Sequence, residues 1–96
     1  MNQNKQNKKT NIQAGKDELR GNYSNVMRVV HNKEEFVLDF MNIVEGNGVL
    51  SSRIFVSPGH LKRMVKVLQD NLKNYEDQFG NIEPGENPKP QIGFKP

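Results

Sequence analysis

The sequence predicts an α+β fold, with a three-stranded antiparallel sheet followed by one long C-terminal helix, held as a dimer between disordered tails. Three observations predict it. Residues 23–56 are rich in β-branched and aromatic side chains broken by short polar turns, as in "YSNVMRVVH" and "EEFVLDFMNIV". From Leu61 onward the apolar period changes from that of strands to that of a helix. Both ends of the chain lack the apolar content needed to offset the entropy of ordering them.

The first strand is expected within Tyr23–His31 and the second within Glu34–Val44, joined at Asn32-Lys33 as a hairpin. The "EGNG" loop, Glu45–Gly48, then turns the chain into a third strand, Val49–Val56, because glycine permits the positive φ such a turn needs. In the helix, Leu61, Met64, Val65, Leu68, Leu72, Tyr75 and Phe79 fall on one side at 100° per residue. Ser57 is a suitable N-cap, Pro58 fits the first helical position and Gly80 a C-cap, so Pro58–Phe79 is the predicted helix.

These elements make a β-β-β-α domain over residues 23–82. Residues 1–22, with five Lys/Arg against two Asp/Glu, form a basic leader expected to be disordered. Residues 83–96 carry four of the five prolines and form an extended tail, whose Ile92 and Phe94 are its large apolar candidates for docking. The net charge of +3 resides in the leader, since residues 23–80 balance seven cations with seven anions.

Composition narrows the chemistry. There is no cysteine, hence no disulfide framework and no thiolate metal site, and no apolar run approaches the ~20 residues of a membrane span. A cytoplasmic protein without membrane association is expected. His31 and His60 lie on different elements with no metal-ligand spacing, and Ser51, Ser52 and Ser57 are explained by a strand and a cap. Neither a cofactor nor an enzymatic activity is expected.

"SPGHLKRM", Ser57–Met64, is the helix start, but its charges are reversed. Lys62, Arg63 and Lys66 occupy early turns, where anions are favoured, and Glu76 and Asp77 occupy the last, where cations are favoured. His60, Lys62, Arg63 and Lys66 are therefore candidate contacts for an anion or a partner, including a second copy of the helix lying antiparallel.

Hairpin parity assigns faces. A two-residue turn sets Val29 opposite Phe36, Met27 opposite Leu38 and Asn25 opposite Phe40, and this face, with Leu50, Ile54 and Val56, is expected beneath the helix. The reverse face displays Ile43 and Val49 besides a candidate dimer interface of Val26, Arg28, Val30, Val37, Asp39, Met41, Arg53 and Phe55. One helix cannot cover both sides of a sheet, and the remaining apolar area calls for a cover, either a second copy or the tail around Ile92 and Phe94.

"YSN" (Tyr23–Asn25), "EFVLDF" (Glu35–Phe40), "SPGHLKR" (Ser57–Arg63) and "LQDNLKNYEDQFG" (Leu68–Gly80) resemble the small prokaryotic proteins of domain-of-unknown-function family 3467. The resemblance covers about Tyr23 to Ile82 and implies a self-contained domain of which Tyr23, Asp39, His60 and Arg63 are typical. It brings no activity and no catalytic residue. The strand-strand-strand-helix order is also similar to secretion-chaperone subunits of the SecB type, at the level of fold.

The function expected from these readings is a non-enzymatic, homodimeric protein-interaction module with an unidentified protein partner. One alternative is a nucleic-acid-associated protein using the basic leader and the helix N-terminus. Another is a SecB-like holdase that binds unfolded chains on apolar surface.

Overall fold

A computed structural model of the chain describes residues 9–85 and 92–95. The expectations for the remainder of the leader and tail lie outside the described residues. The element order is α1 (Lys16–Arg20), β1 (Val26–His31), β2 (Phe36–Val44), β3 (Asn47–Val56) and α2 (Pro58–Phe79). The strands form one antiparallel meander with β2 in the centre, and α2 follows, as expected of an α+β fold.

One element was not foreseen. Within the leader, α1 is a single exposed turn that starts where Glu18 Oε1 accepts the Gly15 N–H at 2.8 Å.

The first hairpin is longer than the two-residue turn expected. Asn32 Oδ1 accepts the N–H groups of Glu34 at 2.7 Å and Glu35 at 3.0 Å, and the Asn32 N–H donates to Glu35 O, so the side chain builds the loop. The register accordingly slips by one pair, placing Val29 opposite Leu38, Met27 opposite Phe40 and Arg28 opposite Asp39. Such a slip preserves parity, so the face assignments on β1 and β2 hold.

The second turn is tighter than expected. Glu45 and Gly46 both have positive φ, 49° and 80°, giving a two-residue loop that draws Asn47 and Gly48 into β3.

On β3 a bulge between the Phe40 and Met41 pairings changes the outcome for two residues. Phe40 faces Ser52 but Met41 faces Leu50, which leaves Ser51 as the extra residue. Beyond that point the expected faces exchange: Leu50 joins Met41, while Val49 pairs with Asn42 on the opposite side. Ser51 has its own task there, its Oγ donating to Tyr23 O at 2.9 Å.

The "YSN" segment is stitched into the sheet edge. Asn25 N donates to Met41 O, and the Asn25 side-chain amide donates through Nδ2 to Ile43 O and accepts through Oδ1 from Ile43 N, both at 2.9 Å. The amide thus imitates one more strand residue. Ser24 Oγ adds a hydrogen bond to Met41 O at 3.1 Å.

Helix α2 has the predicted limits. Ser57 Oγ accepts the His60 N–H at 3.1 Å, Pro58 opens the first turn, and Gly80 ends it at φ 98° with its N–H donating to Glu76 O. Its packing differs from expectation. No residue of α2 is buried, and only Leu61, Met64 and Glu76 are half-buried. Pro58, Leu61 and Val65 share a cleft with Phe36 at the end of the sheet, whereas Leu68, Leu72, Tyr75 and Phe79 stand open. A single residue, Ser57, separates β3 from α2, so the helix begins at the sheet's end and its stripe does not cover the face below. Met27, Val29 and Ile54 on that face remain exposed. The small buried core consists of Leu38, Met41, Val56 and Asp39.

Candidate interaction surfaces

Three charged residues lie abreast across the sheet, because Arg28 pairs with Asp39 and Asp39 with Arg53 on neighbouring strands. Arg53 forks onto the carboxylate, Nε to Oδ1 at 2.7 Å and Nη2 to Oδ2 at 2.9 Å. Asp39 is 1% exposed and is the most enclosed side chain described, so burial disfavours its charge and these donors offset that cost. The hydrogen bonds from Arg53 hold its carboxyl below the usual range, against the opposing effect of burial, with the charges of Arg53 and Arg28 adding to the shift. The same hydrogen bond raises the Arg53 guanidinium.

The tail closes over this row. The Phe94 ring lies 5.2 Å from Arg28 Cζ and 5.3 Å from Arg53 Cζ, so one aromatic face meets both cations. Ile92 and Phe94 also border a cleft of about 480 Å³ with Met41, Ile43 and Leu50.

The sequence-predicted interface residues Val26, Arg28, Val30, Val37, Asp39, Met41, Arg53 and Phe55 all share this face by register. Asp39 and Met41 are buried within the chain, Val26, Arg28 and Val37 are half-buried, and Val30, Arg53 and Phe55 are exposed. This chain's own Phe94 covers the charged row, whereas Val30 and Phe55 on the same face, Met27, Val29 and Ile54 on the opposite face, and the α2 stripe are exposed among the described residues.

At the basic helix start, Lys62 and Lys66 border the cleft that Leu61 and Val65 share with Phe36. His60, Lys62, Arg63 and Lys66 are exposed, and Lys66 Nζ is engaged with Asp70 of the next turn at 3.2 Å. Lys73 and Asp77 repeat that pattern at 2.8 Å. Among the described residues, no group of histidines and carboxylates could hold a metal ion, and no helix is long and apolar enough to cross a membrane.

Sequence reasoning found the α2 stripe but not its finer spacing. Leu61, Val65, Leu68, Leu72, Tyr75 and Phe79 recur at alternating steps of four and three residues, the heptad repeat of a helix that packs along a second helix. The signal was present in the sequence, where Met64 beside the stripe blurred it.

The family described as "Protein of unknown function (DUF3467)" matches residues 1–84. The chain belongs to this family. The DUF3467 match takes in the leader as well as the domain, which extends the span read from the quoted motifs. It includes Tyr23, Asn25, Asp39, Arg53, His60, Arg63 and all of α2, and it ends before Phe94. No curated protein and no solved structure matches this DUF3467 chain.

Proposed function

We propose that the chain is a cytoplasmic, non-enzymatic protein-interaction module that works as a homodimer. The observation that carries the reading is the open apolar surface of α2. Leu68 and Phe79 are 66% and 68% exposed, and Leu72 and Tyr75 are each 48% exposed, on a helix with no buried residue. A continuous apolar stripe of this length on an isolated small domain favours association, because each large side chain gains roughly 1.5–3 kcal/mol on full burial. The buried core is small for a free-standing domain, and association is a usual remedy.

The edges of the sheet give a heterologous partner a place to add. Among the described residues, both β1 and β3 have an unpaired side, and β3 runs for ten residues, long enough to template an added strand. The absence of cysteine is in keeping with a reducing compartment. The nucleic-acid alternative draws less support, because Lys66 is tied to Asp70 and the domain's charges balance.

Sedimentation at micromolar concentration is expected to return twice the 11.0 kDa mass of the chain. A well-folded monomer under those conditions overturns the homodimer.

A further inference from the structure

We infer that the homodimer forms along α2, two copies of the helix lying antiparallel with the Lys62 end of each against the Glu76 end of the other. The inference rests on the homodimer reading and supplies its geometry. In the heptad, Val65, Leu72 and Phe79 occupy one core position, and Leu61, Leu68 and Tyr75 the other. The ion pairs Lys66–Asp70 and Lys73–Asp77 lie on the far side of the helix, which leaves the seam free of intrahelical bridges.

Orientation follows from the residues beside the seam. Lys62, Gln69 and Glu76 recur at seven-residue intervals along one flank, and in an antiparallel pair that flank meets its own copy. Full overlap sets Val65 against the partner's Tyr75, Leu72 against the partner's Leu68 and Leu61 against the partner's Phe79. In this register Lys62 approaches the partner's Glu76 at both ends, and the two Gln69 side chains meet near the centre. In a parallel pair this flank meets the partner's other flank, so Gln69 lies beside the partner's Met64 and Glu76 beside the partner's Asn71, while Lys62 and Glu76 stay about 21 Å apart along the axis and neither charge finds an opposite. Charge complementarity selects the antiparallel arrangement.

The cleft at the helix start fits the same register. It measures about 540 Å³ and is lined by Phe36, Leu61 and Val65, with Lys62 and Gln69 at its side. The partner's Tyr75 and Phe79, whose rings lie 5.0 Å apart, are the residues that this overlap delivers to Val65 and Leu61. An aromatic pair thus meets an apolar cleft at each end of the seam, and the last turn of one copy touches the sheet of the other through Phe36.

The chain contains no cysteine, so single cysteines report proximity without ambiguity. Full-length variants Lys62→Cys, Gln69→Cys and Glu76→Cys would be treated with a short bis-maleimide, alone and co-expressed in pairs. The expected result is that Gln69→Cys links to its own copy. Lys62→Cys and Glu76→Cys do not link to their own copies but link to each other. A dimer in which Lys62→Cys fails to link to Glu76→Cys, or in which Lys62→Cys and Glu76→Cys link to their own copies as readily as Gln69→Cys does, overturns the antiparallel orientation. A dimer in sedimentation that links at none of the three positions overturns the antiparallel seam while leaving the homodimer standing, and a monomer overturns both. A second measurement needs no cysteine: Lys62→Glu is expected to weaken dimerisation roughly tenfold, and adding Glu76→Lys to restore it. Equal weakening in the double variant counts against the cross-copy pair.

Discussion

Asp39 and Arg53 are joined by a two-pronged hydrogen bond across neighbouring strands, and the two residues differ in what they risk. The carboxylate is enclosed, whereas the Arg53 side chain is 41% exposed and can return to water. Losing Arg53 therefore strands a buried charge, whereas losing the charge of Asp39 leaves a cation that solvent can serve. Asp39→Asn is expected to destabilise the fold by about 1–2 kcal/mol. Arg53→Met is expected to be the more damaging of the two. Urea unfolding of both variants checks the order, and the reverse order would assign the structural burden to the arginine.

The same pair gives the fold a defined acid limb. Because Arg53 lowers the Asp39 carboxyl below its ordinary value of about 3.9, the folded state binds fewer protons than the unfolded one in that region. The resulting stabilisation is complete above the ordinary value and is lost as pH falls through the depressed one. Unfolding free energy measured from pH 6 downward should decline in this window, and Asp39→Asn should lack that part of the slope. The gap between wild type and variant is expected to close at the acid end.

Asn25 replaces backbone with side chain. Its amide both donates to and accepts from Ile43, at 2.9 Å each way, so it completes the ladder where β1 has not yet begun. Asn25→Ala removes both bonds and is expected to cost about 1–2 kcal/mol. Asn25→Asp should cost more, since a carboxylate oxygen then faces Ile43 O with no proton between them. Amide hydrogen exchange at Ile43 would show the loss locally.

What could be read from the sequence was what local chemistry dictates. Ser57, Pro58 and Gly80 mark the limits of α2 because caps act within one turn, and strand parity survived a wrong turn length because a slip by one residue pair leaves every face unchanged. The exchange of Val49 and Leu50 was not legible: Ser51 looks like any strand residue, and its role as the bulge depends on Tyr23, distant in sequence. Nor does periodicity reveal what covers an apolar stripe. It showed that Leu68 and Leu72 share a side of α2, but whether that side meets the sheet depends on how the chain leaves Val56. Phe94 over Arg28 and Arg53 is a contact between tail and sheet that the sequence offered as one of two covers for this face, since apolar composition alone does not choose between the tail and a second copy.

The N-cap of α2 is a single hydrogen bond, from His60 N to Ser57 Oγ at 3.1 Å. With cations rather than anions in the first turns, the helix has no acidic side chain near its N-terminus to compensate for losing it. Ser57→Ala is expected to cost about 1 kcal/mol, and Ser57→Asp to keep the cap while improving the charge balance. Thermal unfolding should rank the three chains with aspartate at or above serine and alanine lowest.

Phe94 separates the two surfaces on which a second copy could sit. Its ring covers Arg28 and Arg53 on one face of the sheet, whereas the α2 seam lies elsewhere. Phe94→Ala removes two cation–π contacts at a partly exposed site and is expected to lower stability by about 1 kcal/mol. If the copies meet along α2, the variant remains dimeric with an unchanged dissociation constant in sedimentation equilibrium. If they meet over the charged row, uncovering that row must alter the association, because Phe94 occupies the ground on which a second sheet would rest. The dissociation constant of this one variant therefore locates the interface without reference to any cross-link.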